Sequence, residues 1–193
     1  MKSSLNEIHL FRPSDRQYPE RLREIPGRAR ILRASGNSDI LSHGPILAVV
    51  GTRNPSKEVQ RDTRRVVEVA AEFGMLILSG ISPGVDVIAH EAAIKNGLKT
   101  IAVAGCGLEV LFDSDRSDLA ERIVDSGGVL LSPFPNTAPE TLDRRWWRNR
   151  LIAGLCHGLM VVASEPDGGA WEAHRWARQL ERRLIEPTEF VEE

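Results

Sequence analysis

Cysteine is scarce in this sequence. Cys106 and Cys156 form no C-x-x-C pair and cannot build a disulfide framework, so a reducing, cytoplasmic setting is expected. Long apolar runs are missing too: none approaches the roughly 18 residues of a membrane span. The N-terminus opens on Met1-Lys2 but lacks the apolar stretch of a signal peptide, so neither leader nor span is expected. Charge of one sign is absent, since 25 Lys and Arg stand against 27 Asp and Glu for a net −2. The total therefore demands neither nucleic acid nor an anionic membrane. Aromatic residues make up only 5% of the chain, which makes the adjacent Trp146 and Trp147 conspicuous. No internal repeat or low-complexity segment is visible.

What is present points to an α/β protein. At 193 residues the chain suits one domain, or one domain with an arm. Ile46-Leu47-Ala48-Val49-Val50 is apolar without alternation, which reads as a strand buried on both faces of a parallel sheet. Helix is expected over 56–73, 84–96, 115–124, 145–157 and 169–183, and strand over 75–78, 100–103, 128–131 and 159–163. Strand and helix in alternation describe a doubly wound, mostly parallel Rossmann-like sheet with helices on both faces. Residues 1–45 are punctuated by Pro13, Pro19, Pro26, Gly27, Gly36 and Gly44 and read as an N-terminal arm packing on a core of 46–185. In that arm, 18–25 reads as a short helix and 30–34 as an edge strand. An acidic tail, 186–193, follows.

Each core strand ends in a turn suited to holding an anion. Gly51-Thr52-Arg53 offers backbone N–H, hydroxyl and guanidinium together, and arginine grips phosphate with two parallel hydrogen bonds. It is neither a Walker A loop nor G-x-G-x-x-G, so nucleotide hydrolysis is not indicated. Ser79-Gly80-Ile81-Ser82-Pro83-Gly84 again feeds a helix N-terminus. Asp86 and His90 share a face of that helix, and His90 reads as a hydrogen-bonded structural histidine in preference to half of a metal pair. Gly105-Cys106-Gly107 is a lone G-x-G, with Cys106 read as a small residue beside a ligand. Pro166-Asp167-Gly168-Gly169 closes the series. Arg144-Arg145-Trp146-Trp147-Arg148-Asn149-Arg150 interleaves guanidinium groups with indoles, a recipe for single-stranded nucleic acid. The same stretch also reads as the start of an amphipathic helix, one tryptophan inward and one more exposed.

Taken in order, these segments resemble the DNA-processing protein A (DprA/Smf) family. The motifs are Gly51-Thr52-Arg53, Ser79 to Asp86 with Ala89-His90, Thr100 to Glu109, Arg148-Asn149-Arg150 through Cys156, and Val161-Val162-Ala163. The resemblance covers about residues 18–180. It departs from the family pattern at Pro83, where the family has arginine, at Pro133, and at Ala163-Ser164. It implies a non-enzymatic protein without metal or cofactor that binds single-stranded DNA, helps to load the RecA recombinase, and forms homodimers. It also implies phosphate contacts from Arg53, Arg148 and Arg150, and close backbone approach at Gly51, Gly80, Gly105 and Gly107. With the turn residues Thr52, Ser79, Gly84, Cys106, Asn149, Gly168 and Gly169, these make the expected binding set. Two other ligand classes stay open: a small phosphorylated nucleotide derivative, and, with least support, a nucleotide phosphoribohydrolase site at Gly168-Gly169 with Glu172.

Overall fold

Leu47 and Val49 point to one side of their strand and Ile46, Ala48 and Val50 to the other, and all five are buried. That strand, β3 (Ile46–Val50), lies within an eight-stranded sheet in the computed structural model, which describes residues 7–164 and 168–186. The other strands are β1 (His9–Phe11), β2 (Leu32–Gly36), β4 (Leu76–Ser79), β5 (Thr100–Val103), β6 (Val129–Ser132), β7 (Gly158–Val161) and β8 (Arg183–Ile185). The helices are α1 (Glu20–Arg23), α2 (Lys57–Glu72), α3 (Val85–Lys95), α4 (Leu108–Phe112), α5 (Ser117–Asp125), α6 (Leu142–Leu155) and α7 (Gly169–Gln179).

The spatial order is β1-β2-β6-β5-β4-β3-β7-β8. Strands β3 to β8 pair in parallel, and β1 and β2 join antiparallel beyond β6. From β3 the chain winds outward through β4, β5 and β6, then returns to place β7 on the opposite side of β3. The winding reverses between β3 and β7, the place where open α/β sheets leave a crevice beyond their strand ends. Leu47, Val49 and Ile77 pack with Val66 and Val67 of α2 and Ala89 of α3. Ile46, Ala48 and Val50 belong to the opposite cluster, with Leu151 and Ile152 of α6 and Ala173 of α7. The doubly wound sheet covered on both faces is thus formed as the sequence indicates. No helix among the described residues is long and apolar enough to cross a membrane.

Several local expectations need correction. The strand expected at the edge over 30–34 is β2, which sits between β1 and β6. The edges are β1 and β8, three residues each and too short to show alternation. The last helix stops at Gln179 instead of running to Arg183: Glu181 turns the chain with φ 53°, and Arg183–Ile185 then pairs with β7. Helix α6 begins at Leu142, before the expected 145, because the Thr141 hydroxyl accepts the Arg144 N–H at 3.2 Å. Helix α4 has no counterpart among the helices that the sequence indicates. The arm is fastened to α6, where Leu22 and Ile25 sit against Gly154. The expected tail lies outside the described residues apart from Glu186, as do Pro166 and Asp167 of the last turn.

Candidate functional site

A groove of about 360 Å³ opens where β3 and β7 part. Gly51, Thr52 and Arg53 line it from the end of β3, Ser82 and Asp86 from the β4–α3 connection, and Ser164 from the chain after β7. Gly168, Gly169 and Ala170 close it at the start of α7. Helix α6 supplies Leu142, Arg145, Trp146, Arg148 and Asn149. Leu142, Arg145, Trp146 and Asn149 recur at intervals of three and four along one helix face, and Arg148 follows Arg145 by three.

The β3 turn is rigid. Thr52 donates its N–H to the Ala163 carbonyl at 2.7 Å, and its own carbonyl accepts from Val85 N–H at 3.1 Å. Its hydroxyl accepts the Asn54 N–H at 3.3 Å. Arg53 is consequently held outward, exposed, at the lip of the groove. Deeper in lies Arg148, with only 7% of its side chain exposed. Its Nη2 donates to Ser82 Oγ and to Asp86 Oδ2, each at 3.2 Å. Asp86 is held by the Ser82 N–H at 3.2 Å and lies 3.0 Å from the Ser79 hydroxyl. The Arg148 charge is therefore largely balanced within the protein, while its Nε and Nη1 remain buried without a hydrogen-bond partner, as does Arg145 Nε. Asn149 ties α6 to α7 by donating to Gly169 O at 2.8 Å. Among the described residues no side chain caps α7, and Gly168, Gly169 and Ala170 at its start line the groove, which sets the partial positive charge of the helix N-terminus at its edge. Trp146, 41% exposed, and Leu142 add an apolar wall.

Of the residues expected from the sequence, Gly51, Thr52, Arg53, Arg148, Asn149, Gly168 and Gly169 line this groove. Arg150 does not. It stands two residues from Arg148, about 200° around an α-helix, so it projects from another side. Its guanidinium carbon sits 5.2 Å from the Trp147 ring centre and 4.4 Å from that of Trp176. Among the described residues, Arg150 lines neither of the two hollows that Arg53 lines.

The remaining glycines lie outside the groove lining, each with another part of the chain close against it. A Cβ on Gly80 would fall inside the Arg148 guanidinium, and one on Gly105 would meet Arg145 Cγ at 2.7 Å. Gly84, at φ 90°, lies against the Thr52–Arg53 backbone. Gly107 lies against the Asn136 carbonyl. Ser79 is buried, its hydroxyl 2.6 Å from Val49 O. Cys106 is buried beneath the surface, its carbonyl accepting from the Ser132 hydroxyl at 2.7 Å, and burial raises its thiol pKa. Gly107→Ala is expected to cost about 1–3 kcal/mol, because the obstacle is a backbone carbonyl that no rotamer change can clear. A thermal melt checks this, at roughly 2–4 °C per kcal/mol for a chain of this size.

Asp86, Leu142 and Ser164 line the groove without having been expected there, while Arg145, Trp146 and Ser82 lie in stretches the sequence singled out without naming them in the binding set. The spacing 142-145-146-149 within the Arg/Trp run was the available signal for the α6 members. Glu172 lies outside the described groove lining: it accepts from Trp176 Nε1 at 2.9 Å and pairs with Arg175.

His90 is structural. Its Nε2 donates to the Gly80 carbonyl at 2.6 Å, and Nδ1 lies 2.7 Å from Thr100 Oγ1. Burial holds its pKa below the usual 6.5, so the ring is neutral with the proton on Nε2. Below about pH 6.5 the unfolded chain takes up a proton that the folded chain refuses, and stability falls as pH falls toward the depressed folded value. The melting temperature is expected to decline on acidification from pH 6.5, and less steeply in His90→Asn. His157 and His174, also lowered chiefly by burial, keep some slope in the variant.

A mostly parallel, doubly wound sheet with a cationic, partly apolar groove at its switch point places the chain among Rossmann-like folds. A sequence profile of the DNA recombination-mediator protein A family matches residues 9–191, and the chain belongs to that family. The DNA processing protein DprA of Streptococcus pneumoniae is 37% identical over 153 residues, 79% of this chain and 53% of the relative. An X-ray structure of that protein superposes with a TM-score of 0.86 at 32% identity, covering 95% of this chain and 64% of the other. A Helicobacter pylori DNA processing protein A, whose structure was described for its single-stranded DNA binding mode, superposes at 0.79 with 21% identity, over 93% and 80% of the two chains. The chain spans about half the length of the curated relatives it matches.

Proposed function

We propose that this chain binds single-stranded DNA in the groove at the β3–β7 switch point and acts without catalysis in DNA uptake and recombination. The observation that carries this reading is the convergence of Arg53, Arg145 and Arg148 on one hollow whose far wall is Trp146 and Leu142. Cations suit the phosphates and an exposed indole suits stacking against a base. Family membership supports the reading, as does the single-stranded DNA binding described for the Helicobacter relative. Loading of RecA, homodimerisation and a cytoplasmic location belong to the same proposal, as does the division into arm, core and tail. A gel-shift series at low salt with matched single- and double-stranded oligonucleotides is the test. Retardation of the single strand at lower protein concentration is expected, and no retardation of oligo(dT) at low salt would overturn the proposal.

One observation favours a second ligand class: about 360 Å³ is the size of a pocket for one small molecule. A nucleotide derivative with a terminal phosphate would then fill the hollow. A rise in melting temperature across a panel of mononucleotides, with none for oligo(dT), would select this reading.

A further inference from the structure

The arm carries a second cationic hollow on the same rim of the sheet. Arg33 in β2 stands opposite Ser132 at the carboxyl end of β6, so the residues just before β2 lie where the parallel strands finish. Phe11 pairs with Leu32, which brings the residues after β1 to that rim as well. There Arg12, Pro13, Ser14, Gly27, Arg28 and Arg30 surround a hollow of about 430 Å³. All three arginines are exposed, and none forms an ion pair among the described residues. Among the described residues no carboxylate lines the hollow. The neighbouring Asp15 is turned to its own loop, accepting the Arg12 backbone N–H at 2.7 Å. Tyr18 anchors the loop from beneath by donating its hydroxyl to Ala29 O at 3.0 Å.

Helix α6 links the two hollows. One face lines the groove. Another carries Arg150, whose guanidinium is gripped by Trp147 and Trp176 and reaches Gly27, a wall of the arm hollow. Three guanidinium groups that line one hollow without an ion pair among the described residues make a site of positive potential, which favours a polyanion.

We propose that the arm hollow is a second phosphate subsite for the same strand of DNA that occupies the groove, engaged only when the strand is long enough to cross α6. This rests on the groove's assignment to single-stranded DNA. A strand spanning both hollows meets the arm with its backbone, so the subsite adds length dependence and salt dependence without base preference.

The test is equilibrium binding of the full chain to oligo(dT) of roughly 4 and roughly 16 nucleotides, the range of single-strand site sizes, across a series of salt concentrations. In Arg12→Ala/Arg28→Ala/Arg30→Ala, binding of the short oligonucleotide is expected to stay as in the unaltered chain. Binding of the long one is expected to weaken at least tenfold, with the slope of log K against log salt shallower by about 2, at ~0.7 for each phosphate no longer neutralised. Lysine at the same three positions is expected to restore the slope, and equal melting temperatures establish that all three proteins are folded. An unchanged slope for the long oligonucleotide, or equal weakening for both lengths, overturns the subsite while leaving the groove standing. Failure of the unaltered chain to bind either length overturns the groove and the subsite together.

Discussion

Asp86→Asn is expected to lower the stability of this protein by about 3–5 kcal/mol, the cost of leaving one partner of a buried ion pair without the other. Asp86 and Arg148 are both almost fully enclosed, with 8% and 7% of their side chains exposed, and stand 3.2 Å apart. In Asn form, residue 86 keeps the hydrogen bonds of which an amide oxygen is capable, but Arg148 retains a full charge in a nearly closed site without its counter-charge. At roughly 2–4 °C per kcal/mol for a chain of this length, the melting temperature should fall by well over 5 °C. Replacing both partners by apolar residues, as in Asp86→Leu/Arg148→Met, is expected to recover much of the loss, because neither charge is then stranded. A second readout separates the electrostatic role from a merely structural one. With its counter-charge removed, Arg148 becomes available to an anion, so the Asp86→Asn protein should hold oligo(dT) more tightly wherever it is folded. A melting temperature within a degree or two of the unaltered protein would show that the pair is not the fastening described.

Removing the groove cations that lack a carboxylate partner among the described residues, Arg53 and Arg145, has the opposite sign for binding and little effect on folding. Arg53 is exposed and Arg145 half-buried, and neither has a carboxylate partner among the described residues. A charge-assisted hydrogen bond contributes about 1.5–3 kcal/mol, so Arg53→Ala and Arg145→Ala should each weaken oligo(dT) binding by roughly ten- to a hundredfold. Each should flatten the salt dependence by about 0.7 in log–log slope, and the loss should be the same for every base composition, as expected of phosphate contacts. Arg150→Ala is expected to behave differently. Its guanidinium packs between Trp147 and Trp176, so the variant should lose stability while retaining short-strand binding. Fluorescence anisotropy with a labelled oligonucleotide, paired with a thermal melt, distinguishes the two patterns.

The architecture was legible wherever burial was local. Five apolar residues at 46–50 can only be satisfied by cover on both faces, and the repeated strand–glycine–helix order then dictates a parallel, doubly wound sheet. What could not be read was the placement of β2 between β1 and β6, since an antiparallel insertion depends on partners nearly a hundred residues away. The three-residue strands β1 and β8 leave no periodic trace. In the groove, Gly51-Thr52-Arg53 announced itself because a strand end, a turn and a guanidinium coincide. Arg150 shares one motif with Arg148, but helical geometry turns residues two apart to different sides. The same geometry, applied to 142, 145, 146 and 149, picks Arg145 and Trp146 out of the Arg/Trp run. The glycines at 80, 84, 105 and 107 were legible only as places of close approach. Absence of a Cβ signals close approach, but sequence does not reveal what approaches, and here it is Arg148, the Thr52–Arg53 backbone, Arg145 and the Asn136 carbonyl.

Where on the molecule a bound strand lies is the question most open to a direct answer. Photocrosslinking of the full chain to an oligonucleotide carrying 5-iododeoxyuridine, followed by mass spectrometry of the peptides, reads the binding surface residue by residue. The expected result is crosslinking at Trp146, in the peptide bearing Arg145 and Arg148, that disappears with Arg53→Ala/Arg145→Ala. Crosslinks confined to the basic surface of α2 around Arg61, Arg64 and Arg65, with Trp146 unmodified, would place the strand elsewhere and contradict the groove as its site.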